Sequence, residues 1–272
     1  MPEGHVTHRI ARDVTAAFGG RPVRVASPQG RFADSAALLN GTVLLQGEAA
    51  GKHLFFDFDN ALFINIHLGL IGKVRFFDPS DPIASPETLR LRVWDDTTAL
   101  ELRGATLCRL IGAEERDGIL ARLGPDPLRA DADPEKAWAR IHKSDRTIAS
   151  LLMDQAVLAG VGNIYRAEVL YRHRLSPFTP GSKLKHSTWL AMWRDLVELM
   201  PVAVDTLRID TVRDEHSPEA TGREPRVDRH GGEVYVYRRA GAPCHVCGRE
   251  VRTQEYEGRN LYWCPTCQRR RS

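Results

Sequence analysis

The chain has 272 residues, 42% of them hydrophobic and 27% charged, with a formal net charge of +3. That length allows a sizeable core and two domains, and the composition is that of an ordinary globular protein. No apolar run reaches the ~18 residues of a membrane span and no basic-then-apolar leader opens the chain, so a cytoplasmic location is expected.

Met1-Pro2-Glu3-Gly4-His5 comes first. Removal of Met1, usual before a small residue, would leave the secondary amine of Pro2 as a nucleophile able to form a Schiff base. Glu3 beside it is a candidate proton donor. Val6, Ile10, Val14 and Phe18 then recur every four residues, the apolar stripe of a helix that Gly19-Gly20 ends. The positive end of that helix disfavours an ammonium ion and favours the free amine. Many chains begin in this way without using it, so these residues decide nothing alone.

Short strand-like runs follow at 42–45, 53–58, 61–67, 73–77, 89–94 and 99–103, several alternating apolar and polar. They predict a β-sandwich over residues 1–124. Gly124-Pro125-Asp126-Pro127 marks a boundary, and the period beyond it is helical. Helices are expected from Asp133-Pro134-Glu135, over 146–158, over 164–173 and over 187–207. Ala159-Gly160-Val161-Gly162-Asn163 makes a tight turn between the second and third, with Asn163 as a helix N-cap. Residues 208–232 read as a mobile polar loop and 234–237 as a strand leading into a cysteine-rich segment, 233–272. The fold class is α+β, in three parts: 1–124, 125–232 and 233–272.

Charge and cysteines are unevenly placed. Residues 141–186 hold seven Lys or Arg against three acids, and 238–272 hold eight against three, which leaves the remainder net acidic. Basic patches on a balanced chain fit a polyanion partner. Cys244-x2-Cys247 and Cys264-x2-Cys267, 16 residues apart, have the spacing of a closed four-thiolate zinc site, one structural Zn2+ with no open position. Residues 251–262 between them can form a β-hairpin with its tip near Gly258-Arg259-Asn260. Gly160-Val161-Gly162 lets a phosphate approach a helix N-terminus, and the surrounding helix-turn-helix with basic flanks suits DNA backbone binding. Gly51-Lys52 opens a strand, where a lone Lys is usually solvated. Leu68-Gly69-Leu70-Ile71-Gly72 is most simply a core turn, yet an exposed Leu there could fill the gap left by an extruded base.

Together these motifs resemble the formamidopyrimidine-DNA glycosylase/endonuclease VIII family of base-excision repair. The resemblance spans nearly the whole chain: the Pro-Glu-Gly start, Gly51-Lys52, His67-Leu68-Gly69, Leu123-Gly124-Pro125-Asp126, Asp154-Gln155 through Tyr165, and Gly258 to Pro265. The start is more similar to the endonuclease VIII branch. The resemblance implies a helix-two-turn-helix domain with a zinc-finger hairpin, and a monomeric, nucleoid-associated enzyme that is both glycosylase and lyase. Pro2 would attack C1′ of the damaged nucleotide, Glu3 would help open the sugar ring, and Lys52 would donate a proton in β-elimination. Arg259 would assist δ-elimination and grip phosphate. Arg122 and Asn163 match DNA contacts, and Leu70 the wedge. The partner would be damaged DNA, as duplex, bubble or single strand.

The chain departs from the family pattern at His5-Val6, where the family usually has Pro-Glu, and at Gly69, where the endonuclease VIII branch can place Gln. A silent DNA-binding protein, or an enzyme of the 8-oxoguanine branch, are the competing readings. Residues 102–107 offer Arg103 but neither an aromatic partner nor the length for a protruding reader of the opposite base. Oxidised pyrimidines are therefore the expected substrates.

Overall fold

The computed structural model describes residues 2–228 and 232–269, so 229–231 of the polar loop and 270–272 of the cysteine segment lie outside it. Contacts divide the chain after Arg122 into two units. Their apolar cores share no residue.

The first unit opens with α1 (Gly4–Phe18), whose Ile10, Val14 and Phe18 are buried as the four-residue spacing requires. Fully burying side chains of this size contributes about 1.5–3 kcal/mol each. Strands β1 (Arg21–Pro22) and β2 (Arg24–Ala26) are followed by α2 (Ala33–Leu39), a short helix that alternation and turn residues do not predict. Then come β3 (Val43–Ala50), β4 (His53–Phe58), β5 (Leu62–His67), β6 (Lys73–Phe77), β7 (Leu89–Trp94), β8 (Ala99–Arg103), β9 (Leu107–Gly112) and α3 (Ala113–Arg122). They form two antiparallel sheets, β1-β3-β4-β5-β9 and β2-β7-β8-β6. Leu44, Leu54, Phe56 and Ile64 of the first meet Leu91, Val93 and Leu100 of the second in the core of a β-sandwich. α1 lies so close to β3 that a Cβ on Gly47 would stand 2.6 Å from the Ala11 carbonyl oxygen. Only glycine fits there.

In the second unit α4 (Pro134–Ile141) is capped by Asp133, whose carboxylate accepts from the Glu135 amide at 2.9 Å. The helix expected over 146–158 is only α5 (Ile148–Leu151). The chain beyond it turns, because Asp154 accepts from the Ala156 amide at 3.0 Å and Gln155 bridges to Val161 and Gly160, each at 3.0 Å. Side-chain partners there replace the helical ladder. α6 (Asn163–Arg172) and α7 (His186–Thr206) match the expected helices within a residue or two.

Residues 208–228 hold a turn of 3₁₀ helix (Asp214–His216) and the short α8 (Pro218–Thr221). Residues 234–237 are not a strand. The buried carboxylate of Glu168 draws in their backbone instead, accepting from the amides of Tyr235, Val236 and Tyr237 at 2.7–2.9 Å and from the Thr211 hydroxyl at 2.6 Å. The chain closes with β10 (Arg252–Tyr256) and β11 (Arg259–Trp263), joined at Glu257-Gly258, both with positive φ as a tight two-residue hairpin turn needs. The hairpin shares its core with the helices: Val251, Leu261 and Cys264 belong to the same buried cluster as Trp189 and Leu170.

Candidate functional site

The N-terminal residues are held by the β3–β4 turn. Thr7, 1% exposed, donates from Oγ1 to the Gly51 carbonyl at 2.7 Å and lies 2.8 Å from the Gly4 carbonyl. Gly51 has φ +57, a left-handed conformation that favours glycine in the turn that presents Lys52. One bond thus ties the segment bearing Pro2 and Glu3 to the turn bearing Lys52. Pro2 is half-buried, and Glu3 is fully buried at the N-cap of α1, its carbonyl accepting from the Val6 amide at 2.9 Å. His5, the second residue of α1, is buried. Burial, then the positive chain terminus, lowers it to about 4. It is neutral at physiological pH.

Beside Lys52 stands a histidine pair: His67, part of the His67-Leu68-Gly69 motif, and His53, which no motif marked. His53 and His67 face each other across β4 and β5 with ring centroids 5.5 Å apart. His53 is lowered to about 4, mainly by burial and then by His67, against a raising hydrogen bond from Asn65; Arg109 and Arg122 lower it further. His67 is lowered by burial and by the Lys52 charge. Both imidazoles stay neutral beside a cluster of cations. Their pairing across the two strands is set by the sheet register, which no local motif marks for His53. Arg122 closes α3 within reach of His53 electrostatically.

Leu70 sits at the tip of the turn between β5 and β6, 58% exposed, and its neighbour Ile71 is 73% exposed. Gly69 at φ +66 makes the turn, and a Cβ there would stand 2.3 Å from Thr106 Cγ2. Thr106 donates to the His67 carbonyl at 3.0 Å, and the Gly69 amide donates to His67 Nδ1 at 3.2 Å. An apolar tip is therefore held out on a rigid base.

In the second unit Asn163 is the first residue of α6, not its cap; Gly162 holds that position. Its Nδ2 donates to the Asn260 carbonyl at 3.0 Å, while Arg166 donates to its Oδ1. The hairpin tip is fastened again where the Ser150 hydroxyl donates to Glu257 at 2.8 Å and where Thr147 meets the Tyr256 hydroxyl at 2.8 Å. Asn260, which follows Arg259 in β11, thereby ties the hairpin to the start of α6.

The four cysteines converge. The sulfurs of Cys244, Cys247, Cys264 and Cys267 all lie within 4.8 Å of one another, with Cys244–Cys267 at 3.9 Å and Cys247–Cys264 at 3.5 Å. A tetrahedron with metal–sulfur bonds of about 2.3 Å has edges of about 3.8 Å, so the set fits a metal ion. Two side chains outside the motif brace it: the Tyr171 hydroxyl lies 2.9 Å from Cys244 Sγ, and Gln268 accepts from the Cys264 amide at 2.8 Å. Cys108 is separate and buried in the first core, its thiol pushed up to about 12 by burial.

Two family models match this chain: the formamidopyrimidine-DNA glycosylase N-terminal domain over residues 1–106 and its helix-two-turn-helix domain over 123–213. The chain belongs to the formamidopyrimidine-DNA glycosylase/endonuclease VIII family. It is a DNA glycosylase of that type, an enzyme of damaged-DNA repair. Among family members it is similar to "Endonuclease 8 1" of Mycobacterium tuberculosis, 48% identical over 98% of this chain and 100% of that one. A formamidopyrimidine-DNA glycosylase of Thermus thermophilus is 33% identical over 98% of this chain and 97% of that one. A complex of the Lactococcus lactis enzyme with abasic-site DNA shares the fold, with TM-score 0.78 and 21% identity over 98% of this chain and 100% of that one. Both glycosylase domains are thus represented, and among the described residues no helix is long and apolar enough to cross a membrane.

Proposed function

We propose that this glycosylase is bifunctional and acts mainly on oxidised pyrimidines. With Met1 removed, the Pro2 nitrogen attacks C1′ of the damaged nucleotide, and the base leaves with its bonding pair. Glu3 gives a proton to the ring oxygen as the sugar opens, leaving an iminium between Pro2 and C1′. Loss of a C2′ proton then expels the 3′ phosphate, with Lys52 as proton donor, and a second elimination expels the 5′ phosphate with Arg259 assisting. Arg122 and Asn163 contact the phosphate backbone, and Leu70 fills the space left by the extruded nucleotide. One structural Zn2+ on Cys244, Cys247, Cys264 and Cys267 stiffens the hairpin that carries Arg259. The substrate is damaged duplex, bubble or single-stranded DNA, met by a monomer in the cytoplasm at the nucleoid.

The observation that carries this reading is the bond from Thr7 to Gly51, which couples the only segment with an N-terminal secondary amine to the turn bearing Lys52. A silent DNA-binding protein needs no such coupling. Arg103 speaks against the 8-oxoguanine branch, because it is committed inside its own unit: it donates to the Ser85 carbonyl at 2.7 Å and to Glu101 at 2.8 Å. It is not a free reader of an opposite base. Borohydride should trap the protein on DNA with an abasic site, and a retained N-terminal tag or Pro2→Gly should abolish the adduct. Equal trapping by the tagged protein would move the nucleophile elsewhere, with Lys52 next in line.

A further inference from the structure

β6 is an edge strand of the four-stranded sheet, and its side chains divide by alternation. Val74 packs on the core and Phe76 stacks 6.5 Å from Phe18, whereas Lys73, Arg75 and Phe77 face outward. The segment 78–88 folds back over this outer face. Arg92 holds it by donating to the Pro79 carbonyl at 2.9 Å, and Arg103 by donating to the carbonyls of Ala84 and Ser85 at 2.5 and 2.7 Å.

Between that segment and β6 lies a cleft of about 430 Å3, lined by Ile71, Lys73, Arg75, Phe77, Pro82 and Arg103. Its volume is within the ~300–1,000 Å3 of ligand sites. Ile71, at its rim, belongs to the same exposed apolar tip as Leu70. Asp81 and Glu101 also line it, but Glu101 is paired with Arg103. Among the described residues neither Lys73 nor Arg75 has a side-chain hydrogen bond or ion pair. Two uncommitted cations and a part-exposed aromatic ring, spaced two residues apart on one strand face, are the elements of a stacking platform for an unpaired nucleotide.

The lesion base is not its occupant. Phe76, adjacent to Phe77, packs against Phe18 at the far end of α1, about 21 Å by helical rise from Gly4, the helix's first residue, with Pro2 two residues before it. A base leaving the sugar under attack cannot reach that far.

We propose that this cleft takes the nucleotide opposite the lesion, displaced from the stack by Leu70 and Ile71, and holds it without reading its identity. Its base stacks on Phe77 and its phosphates lie against Lys73 and Arg75. Every base presents a π-face, so such a platform tolerates all four. The proposal rests on the glycosylase reading above.

The full-length, zinc-replete protein is tested on duplexes that carry a tetrahydrofuran abasic analogue opposite A, C, G, T or a second tetrahydrofuran. Wild type should bind the four base-containing duplexes with similar affinity, and about tenfold more tightly than the duplex lacking the opposite base. Phe77→Ala should abolish that difference, and Arg75→Glu, at an exposed side chain, should reduce it severalfold with an unchanged melting temperature. In wild type, 2-aminopurine placed opposite the analogue should brighten on binding as it leaves the stack. Equal affinity of wild type for duplexes with and without the opposite base, or a difference unchanged in both variants, overturns the proposal. Absence of borohydride trapping by wild type overturns the glycosylase reading instead, so the two failures are distinguishable.

Discussion

The Thr7 hydroxyl donates to the Gly51 carbonyl across 44 residues of chain, at 2.7 Å and out of contact with solvent. It joins the first turn of α1 to the turn at Lys52. Two groups that act on one sugar must be held to within a fraction of an ångström, and this bond links the segments that carry them.

Thr7→Val keeps the shape but removes the donor, leaving the buried Gly51 carbonyl without it. The expected cost is about 1–3 kcal/mol of stability. Single-turnover strand cleavage should slow by roughly tenfold or more, as small displacements of positioned groups do. Thr7→Ser, which retains the hydroxyl, should restore most of the rate. If cleavage by Thr7→Val matches wild type, the bond does not position the site.

Cys264→Ser should release zinc and weaken DNA binding while the first unit stays folded, because the two cores share no residue. Metal content and binding are measured together with the unfolding of each unit. DNA binding that survives full metal loss would remove the hairpin from the interface.

His5 is held near 4 in the fold against 6.5 in the unfolded chain, mainly by burial. The unfolded state therefore binds more protons between those values, so stability is complete above about 6.5 and is lost as pH falls towards 4. His53 acts in the same direction. For His5, only 5% exposed, the loss is of order 3 kcal/mol over the whole window. Urea unfolding at pH 7.5 and 5.0 should show this decline, and His5→Asn should flatten it. An identical decline in the variant would assign the effect elsewhere.

Thymine glycol, dihydrouracil and abasic sites should be cut faster than 8-oxoguanine opposite cytosine, with activity retained on single strands and bubbles. The structural reason is Arg103, whose guanidinium is spent on the 84–88 segment and Glu101. The β8–β9 connection offers only Gly104, Ala105 and Thr106 beyond it. Side-by-side rates on the four lesions decide it; 8-oxoguanine as the fastest would place the enzyme in the sister branch.

Much of this protein is legible along the chain because the signals are local. Four-residue spacing sets α1, alternation sets β4 to β8, and two Cys-x2-Cys pairs set the metal cluster; each depends on neighbours in sequence and needs no knowledge of the rest. The motifs that carry the family resemblance are local as well. What the tertiary structure alone decided are the contacts between distant segments. Asn163 reads as a helix cap from its neighbours, yet its amide is used by Asn260, 97 residues away. Residues 234–237 read as a strand, yet Glu168 takes their amides from a buried position on α6. Arg103 looks like a free cation until the 84–88 segment folds onto it, while Lys73 and Arg75 stay uncommitted beside it. Hydrogen bonds and burial of this kind depend on which surfaces the folded chain brings together, and no periodicity in the sequence encodes that pairing.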